Sequence, residues 1–216
     1  MPRRTIWGVD SAERVTSNLY NCVVDHYGAP RYWGRYLQTI VNETVGMTKQ
    51  EIQFLHEKGI KIAPIFIFED ATGYRHGRVI AHNALAQARR LGVPKDTFVF
   101  ANIESGTTID EAWIRGWVDA MHPSGYRPGL YCDPSRNDFN RAYCEAVRNN
   151  DKVADQTVIW SRKPTPGVTR KRNAPSYNPA KPSCSANVWL WQYGQTAPEC
   201  PINTDLADAR LLKNLY

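Results

Sequence analysis

The sequence has 216 residues, of which 42% are hydrophobic and 22% are charged, and its formal net charge is +6. This composition is that of an ordinary globular chain that can bury a large core, and it argues against a collagen-like or disordered protein. No acidic residue occurs between positions 156 and 198, whereas the rest of the chain is balanced in charge, which argues against a uniformly basic nucleic-acid-binding protein.

The first part of the chain alternates apolar runs with helical patterns. Strands are predicted at residues 6–9, 31–37 and 60–68, and helices at residues 16–26 and 48–58. The spacing of Thr48 and Glu51 predicts a capping box, in which the Thr48 hydroxyl and the Glu51 carboxylate each bind a backbone N–H at the helix start. Gly59 then ends this helix.

The second part of the chain continues the alternation. Strands are predicted at residues 97–103, 127–131, 157–160 and 187–193, with a weak eighth at 201–204, and helices at residues 78–91, 108–122, 138–148 and 205–215. Thr108 and Glu111 have the spacing of a second capping box. Between the sixth and seventh strands, residues 162–185 form a loop rich in proline and basic side chains instead of a helix.

Repeated β-α units of this kind predict a parallel sheet. We predict an α/β fold, a single (β/α) TIM-like barrel spanning residues 1–216, irregular or incomplete around strands 6–8. A barrel fits better than a doubly wound sheet because no glycine-rich phosphate turn follows the first strand. Polar or acidic residues also follow several strands, at the face where barrels carry their chemistry.

The five cysteines do not form a Cys-x-x-Cys pair, which argues against a zinc ribbon. Cys184 and Cys200 bracket a short segment, and we expect a disulfide between them in an exported protein. The chain enters its first strand without the apolar region of a signal peptide, so we expect a protein that is cytoplasmic as made or one whose export signal has been removed. The longest uncharged apolar run, residues 62–68, is too short to cross a membrane.

Acidic residues close several of the predicted strands. Asp10 ends the first strand, Glu69 and Asp70 the third and Glu104 the fourth, and Asp205 follows the last strand region. Glycoside hydrolysis needs one protonated carboxyl group and one carboxylate, and burial in a barrel mouth separates carboxyl pKa values in this way. Each residue alone could be a helix cap or an ion-pair partner, but several of them meet at one face of a barrel. The five histidines lack ligand spacing and no phosphate-binding loop occurs, so we predict no metal and no cofactor.

Five short segments resemble a known family. Residues 189–193 (Trp-Leu-Trp-Gln-Tyr) and 203–206 (Asn-Thr-Asp-Leu) resemble the last strand and the following segment of the glycoside hydrolase family 25 lysozymes, or muramidases. Residues 8–10 (Gly-Val-Asp) and 101–104 (Ala-Asn-Ile-Glu) are similar to the first and fourth strands of that family. Residues 34–37 (Gly-Arg-Tyr-Leu) resemble a closer group, the glycoside-hydrolase-like barrel domain typified by a mycobacterial cell-wall-associated protein.

The resemblance implies roles for single residues. Glu104 matches the general acid of the lysozymes, and Asp10 and Asp205 match carboxylates of their cleft, so these three are the predicted catalytic residues. Asn102 stands where the lysozymes carry aspartate, although an amide can still bind the N-acetyl group of a sugar in substrate-assisted chemistry. The predicted substrate-binding residues are Asn102, Glu69, Asp70, Tyr131, Trp160, Trp191, Gln192 and Arg35.

Two of these placements stay open at this point. Alternation along a strand puts Trp191 and Gln192 on opposite faces, so one of the two points away from the mouth. Arg35 is a partner for a carboxylate of the cleft or for one in the core.

We therefore predict a glycosidase that acts on peptidoglycan or a related cell-wall glycan. The alternatives are a non-catalytic or weakly catalytic glycan-binding barrel and a scaffold that reuses the fold. Basic residues at 162–181 either bind an anionic polymer or form a solvated loop. We expect a monomer that binds no nucleic acid, and the resemblance implies an extracellular or cell-wall-associated location.

Overall fold

The alternation of apolar runs and helical patterns produces a closed eight-stranded barrel. The computed structural model describes residues 4–216. The strands are β1 (Thr5–Ser11), β2 (Tyr32–Tyr36), β3 (Lys61–Ile67), β4 (Phe98–Asn102), β5 (Arg127–Cys132), β6 (Val158–Arg162), β7 (Asn187–Gly194) and β8 (Asn203–Asp208). The helices are α1 (Ser17–His26), α2 (Lys49–Glu57), α3 (Tyr74–Arg90), α4 (Glu111–Met121), α5 (Asn137–Asn149) and α6 (Lys152–Gln156). The prediction of a TIM-like α/β barrel is confirmed.

Strand β8 departs from the parallel pattern of the other seven strands. It pairs antiparallel with both β1 and β7 and so closes the barrel. Only residues 195–202 connect β7 to β8, which is too short for the crossover that a parallel neighbour requires. The predicted helix at residues 205–215 is wrong: residues 205–208 belong to β8, and only a 3-10 helix, Ala209–Asn214, follows. The segment forms a strand because the open edges of β1 and β7 offer its backbone more hydrogen-bond partners than a short helix would.

Apolar side chains pack in two layers around the strands. The lumen holds a cluster that includes Tyr32, Phe100 and Trp160, and a larger cluster lies between the strands and the helices. Gly34 makes room in the lumen, because a Cβ atom there would lie 2.4 Å from the Trp160 ring and 2.7 Å from Cβ of Asp10. A side chain at position 34 would therefore displace the groups beneath the barrel mouth.

The two predicted capping boxes differ in outcome. The Thr48 hydroxyl accepts the Glu51 N–H as expected, but the Glu51 carboxylate leaves the cap and binds Arg35 instead. The cap of α4 is Asp110 and not Thr108. The Asp110 carboxylate accepts the N–H of Trp113 and also that of Gly73, so it joins the starts of α3 and α4. This second contact explains why Asp110, and not Thr108, caps α4.

Helices α3 and α4 cross at glycines. A Cβ atom on Gly77 would lie 2.2 Å from the Trp113 carbonyl oxygen, and one on Gly116 would lie 2.1 Å from the Tyr74 carbonyl oxygen. Real Cβ atoms do not approach backbone so closely, so both positions need glycine for the helices to pack at this distance.

Two disulfides fasten the loops to the barrel. Cys22 on α1 is bonded to Cys200, and Cys144 on α5 is bonded to Cys184, while Cys132 is a buried free thiol. The predicted Cys184–Cys200 bond is therefore wrong. Strand β7 separates these two cysteines, and eight extended residues span about 26 Å, whereas the Cα atoms of a disulfide lie within about 7 Å of each other. Within residues 4–216, no helix combines the length and apolar character that crossing a bilayer requires.

Candidate active site

Polar side chains fill the lumen at the carboxyl ends of the parallel strands. This region, called the mouth below, contains Asp10, Tyr36, Asn102, Glu104, Tyr131, Arg162, Gln192, Asn203 and Asp205. Asp205 reaches the mouth because β8 runs antiparallel, so that its first residues lie beside the end of β1. In this register Asn203 pairs with Asp10, and Asp205 pairs with Gly8.

Asp10 and Asp205 form a buried acidic pair. Asn203 Nδ2 donates to Asp10 Oδ1 at 2.9 Å, and Gln192 Nε2 donates to Asp10 Oδ2 at 3.3 Å. Trp160 Nε1 donates to Asp205 Oδ1 at 3.1 Å. The other oxygen of Asp205 is buried, and no group within residues 4–216 donates to it. A buried oxygen without a donor is costly for a charged carboxylate, so this environment favours the protonated form of Asp205.

The electrostatics of the mouth agree with this proton position. Burial raises the pKa of Asp10 to about 6, although hydrogen bonds from Asn203 and Asp205 and the charge of Arg162 oppose the rise. Burial, and then the negative charge of Asp10, raise the pKa of Asp205 well above its ordinary value. Near neutral pH, Asp205 therefore keeps its proton and Asp10 is mainly ionised. Burial also raises the pKa of Tyr131, so its phenol stays neutral.

Glu104 is the carboxyl group of the mouth that solvent can reach. Its side chain is 44% exposed, whereas Asp10 is 1% exposed and Asp205 is fully buried. Asn102 Nδ2 donates to Glu104 Oε1 at 2.6 Å, and an Arg162 terminal nitrogen donates to Glu104 Oε2 at 3.1 Å. The two contacts orient the carboxyl group at the mouth.

A cavity of about 350 Å³ opens beside Glu104. Glu69 lies in its wall together with apolar groups from the ends of β2 and β3, namely Ile40, Ile67 and Phe68. Asp70 is not part of this wall. Its carboxylate accepts the hydroxyl of Thr72 and lies 3.8 Å from a ring nitrogen of His76. Of the two acidic residues predicted after β3, only Glu69 therefore lies beside Glu104.

Aromatic rings form the floor of the mouth. Trp160 is fully buried, and the centre of its ring system lies 4.8 Å from that of Tyr131. Because the Trp160 ring is covered, a sugar would meet it only after neighbouring side chains move. Trp160 acts here mainly by orienting Asp205 through its indole N–H.

Two predicted substrate-binding residues lie outside the mouth. Arg35 points toward the helix layer, where its guanidinium forms a buried ion pair with Glu51 at 2.6 Å, so Arg35 is a partner of a core carboxylate. Trp191 also faces the helix layer and donates its indole N–H to the Lys163 carbonyl at 2.9 Å. On the same strand, Gln192 points into the lumen, where its side-chain nitrogen donates a hydrogen bond to Asp10.

An irregularity in β7 changes the alternation along this strand. Pairing with β6 passes from Val188 directly to Leu190, so that Trp189 is skipped. Trp189 and Leu190 consequently both pack against the lumen cluster, and simple alternation assigns the wrong face to Trp189.

Three residues of the mouth were not predicted from the sequence: Tyr36, Arg162 and Asn203. Arg162 had been assigned to the basic loop. A signal was present, because Val158 and Trp160 face the lumen and alternation along β6 places Arg162 on the same face. Asn203 could be found only once β8 was known to run antiparallel.

The basic residues at 162–181 do not form one continuous surface. Arg162 lies in the mouth, and Lys163 lies 3.9 Å from Asp133. The side chains of Arg170, Lys171 and Arg172 line a separate cavity of about 530 Å³ beside the end of α1. No group of three or more potential metal-binding side chains occurs in the part of the chain that the structure describes.

One protein family and several solved structures resemble this chain. The sequence model of the Rv2525c-like, glycoside hydrolase-like domain matches residues 26–196. The chain is 53% identical to an uncharacterised protein of B. stearothermophilus over 98% of this chain and 100% of that one, and the two structures superpose with a TM-score of 0.96. None of the curated proteins compared with the chain matches it.

More distant structures share the fold alone. A family GH25 lysozyme from Aspergillus fumigatus is 15% identical over 98% of this chain and 99% of that one, with a TM-score of 0.56. GHIP, a glycosyl hydrolase 25 of Streptococcus pneumoniae that participates in host cell invasion, is 9% identical over 98% of this chain and 92% of that one, with a TM-score of 0.59.

Proposed function

Because the chain belongs to the Rv2525c-like, glycoside hydrolase-like domain family, we propose that it is a glycoside hydrolase that acts on peptidoglycan or a related cell-wall glycan. The observation that carries the proposal is the position of Glu104, an accessible carboxyl group held by two side chains in a mouth that also contains a buried acidic pair. The likeness to lysozymes with the same barrel supports a wall glycan as the substrate.

Glu104 is the proposed general acid. A carboxyl group beside an open cavity can donate a proton to the glycosidic oxygen as the bond to the anomeric carbon breaks. Asp10, ionised within the mouth, would stabilise the positive charge that develops on the sugar, and hydrogen bonds from Asn203 and Gln192 would hold it in place. Because both aspartates are covered, they act through the electric field of the site and not by direct attack.

Asn102 suits a substrate-assisted step. Its side-chain oxygen is buried and accepts no hydrogen bond within residues 4–216. Once neighbouring side chains move, the N–H of an N-acetyl group could donate to this oxygen while the acetyl oxygen forms a bond to the anomeric carbon. The leaving oxygen takes the Glu104 proton, and a water molecule then opens the cyclic intermediate and returns a proton to Glu104.

A turbidity assay on purified bacterial cell walls tests this function. We expect the wild-type protein to clear the suspension and release reducing ends, and Glu104→Gln to lose at least about 100-fold of the rate, because an amide cannot donate the proton. Glu57→Gln is the matched control, since Glu57 is an exposed residue of α2 far from the mouth in the fold. Equal clearing by wild type and Glu104→Gln would exclude the proposal.

A wall-glycan-binding barrel without catalysis is the second candidate. It is favoured by the ion pair between Arg162 and Glu104, because this contact engages the carboxyl group that would have to donate the proton. The amide at position 102 also favours it. The cavity lined by Arg170, Lys171 and Arg172 would then hold an anionic wall polymer. Sedimentation of the protein with cell walls without release of reducing ends would favour this function.

The disulfides support an extracellular or cell-wall-associated location. Bonds such as Cys22–Cys200 and Cys144–Cys184 persist in oxidising compartments and are rare in the reducing cytosol. A free-thiol count on protein taken directly from cells would test this location: one reactive thiol after denaturation is expected, and five would contradict it.

A further inference from the structure

Arg162 is a positive charge built into the lumen face of the mouth. Strand β6 sends Val158 and Trp160 into the lumen, and Arg162 is the next residue on the same face. Its guanidinium lies 5.9 Å from the centre of the Tyr131 ring and its side chain is 17% exposed. This placement is unusual for an arginine at the end of a strand, because such side chains normally extend into solvent.

The guanidinium is only partly used by the protein. One terminal nitrogen donates to Glu104 Oε2, and no other hydrogen bond of the Arg162 side chain occurs within residues 4–216. The Nε–H and the second terminal nitrogen therefore form an edge with two donors and no protein acceptor. Neighbouring cations differ in this respect. Arg136 donates to the carbonyl groups of Glu104 and Thr107 as well as to Asp138.

A planar edge of two N–H donors matches the two oxygens of a carboxylate. The uncharged acceptors nearby are the side-chain oxygens of Asn102 and Gln192, which are buried and have no donor within residues 4–216. They would accept hydroxyl or amide donors of a sugar once neighbouring side chains move. The mouth therefore combines acceptors for the neutral part of a sugar with a cation for an acidic substituent. A neutral glycan would leave the guanidinium edge unpaired in a partly dehydrated site, which is costly.

We propose that Arg162 makes the site selective for a glycan that carries a free carboxylate on the sugar bound beside Glu104. This inference rests on the proposed function in cell-wall glycans. In peptidoglycan, such a carboxylate is present on muramic acid from which the peptide has been removed, and it is absent where the carboxyl group forms the amide bond to the peptide. The preferred substrate is therefore a peptide-free strand or another acidic polysaccharide, and strands that carry peptides would be cleaved more slowly.

The experiment compares one glycan in two charge states. Peptide-free peptidoglycan strands are used as such or after conversion of their carboxyl groups to methylamides, and polygalacturonate is included as a source of uronate. Reducing-end release gives kcat/KM, and calorimetric titration of the wild-type protein gives Kd. We expect the free-acid strand to be preferred about 10- to 100-fold, as for loss of a charge-assisted bidentate contact.

Variants separate bidentate recognition by the Arg162 guanidinium from general electrostatic attraction of an anionic glycan. In Arg162→Gln the preference should fall to about one, and in Arg162→Lys it should be intermediate, because lysine keeps the charge without the planar edge. Lys163→Gln removes a charge next along the chain, outside the mouth, and should keep the wild-type preference. Circular dichroism and unfolding midpoints confirm that each variant is folded. If Arg162→Gln does not fold, Arg162→Lys and the methylamide strand still decide the question.

The outcomes distinguish this inference from the proposed function. If the wild type releases no reducing ends from any strand, the hydrolase fails, and the ratio of the two Kd values still tests Arg162. Tighter binding of polygalacturonate than of the peptide-free strand would support carboxylate recognition and assign uronates as its source. Equal affinity for the free and amidated strands, absence of binding to all three glycans, or an unchanged preference in Arg162→Gln would overturn the inference.

Discussion

The buried acidic pair predicts a specific dependence of stability on pH. Asp10 has its pKa raised from 3.8 to about 6 in the folded protein, mainly because burial disfavours its charge. Between these values the folded protein binds a proton that the unfolded chain has released. The free energy of unfolding therefore falls as the pH rises through this window, and the stabilisation present at pH 4 is lost by about pH 7.

The magnitude follows from the shift itself. One pKa unit corresponds to 1.36 kcal/mol, so the shift of Asp10 amounts to about 3 kcal/mol. Asp10 is 1% exposed, so solvent screening takes little from this value. Asp205 changes the stability of the wild type in the same direction, but it remains present when only Asp10 is replaced. Because the charge of Asp10 also helps to raise the pKa of Asp205, a comparison of wild type with Asp10→Asn reports the proton of Asp10 together with its coupling to Asp205.

Urea unfolding at pH 4, 5, 6 and 7, followed by tryptophan fluorescence with the disulfides intact, measures this effect. We expect Asp10→Asn to gain about 2 kcal/mol on the wild type between pH 4 and pH 7, somewhat less than the full shift because the unfolded chain is already partly ionised at pH 4. A constant offset from the altered hydrogen bonds does not affect this change. The exposed Asp151 provides the control Asp151→Asn, whose curve should run parallel to that of the wild type. A difference between wild type and Asp10→Asn that stays constant, or changes in the opposite direction, would refute the reasoning.

Three further predictions concern covalent links, helix packing and the departure in the active site. Replacing Cys22 and Cys200 by serine should lower the unfolding free energy by up to about 5 kcal/mol, since the bond closes a loop of 178 residues; chemical denaturation without reductant measures the loss, and an unchanged midpoint would contradict it. Gly116→Ala should destabilise the fold by about 1–3 kcal/mol in thermal unfolding, because the new Cβ would meet a backbone oxygen at 2.1 Å. Asn102→Asp should lower the midpoint of thermal unfolding, because position 102 is buried and its side-chain nitrogen lies 2.6 Å from the Glu104 carboxylate; an unchanged or higher midpoint would contradict this expectation.

The barrel could be predicted because its signals are local. A run such as residues 60–68 is apolar throughout, and only a strand covered on both faces tolerates that pattern. Asp10 and Glu104 follow such runs directly, so their place at the carboxyl ends of β1 and β4 follows from the order of the chain. The conclusion that strand-end residues share one face then requires only the parallel topology.

The remaining parts of the site depend on contacts between distant segments. Asp205 was predicted in the mouth, but as the start of a helix, whereas it lies there because β8 reverses direction and pairs with β1. The sequence near residue 205 cannot indicate a pairing partner two hundred residues away. The disulfides show the same limit, since Cys22 and Cys200 meet only after the barrel has closed.

The charges of the mouth connect the departure at position 102 with the presence of Arg162. Asp205 holds its proton, Asp10 loses its proton near neutral pH, and Arg162 places a positive charge beside Glu104. An additional aspartate at position 102 would give this small space another negative charge, and an acidic sugar would then be repelled. With asparagine at 102 and arginine at 162, the mouth keeps a carboxyl acid and a stabilising carboxylate and still accepts an anion. The two features are therefore one adaptation to a carboxylate-bearing glycan, and reversing either of them alone should weaken the preference for such a substrate.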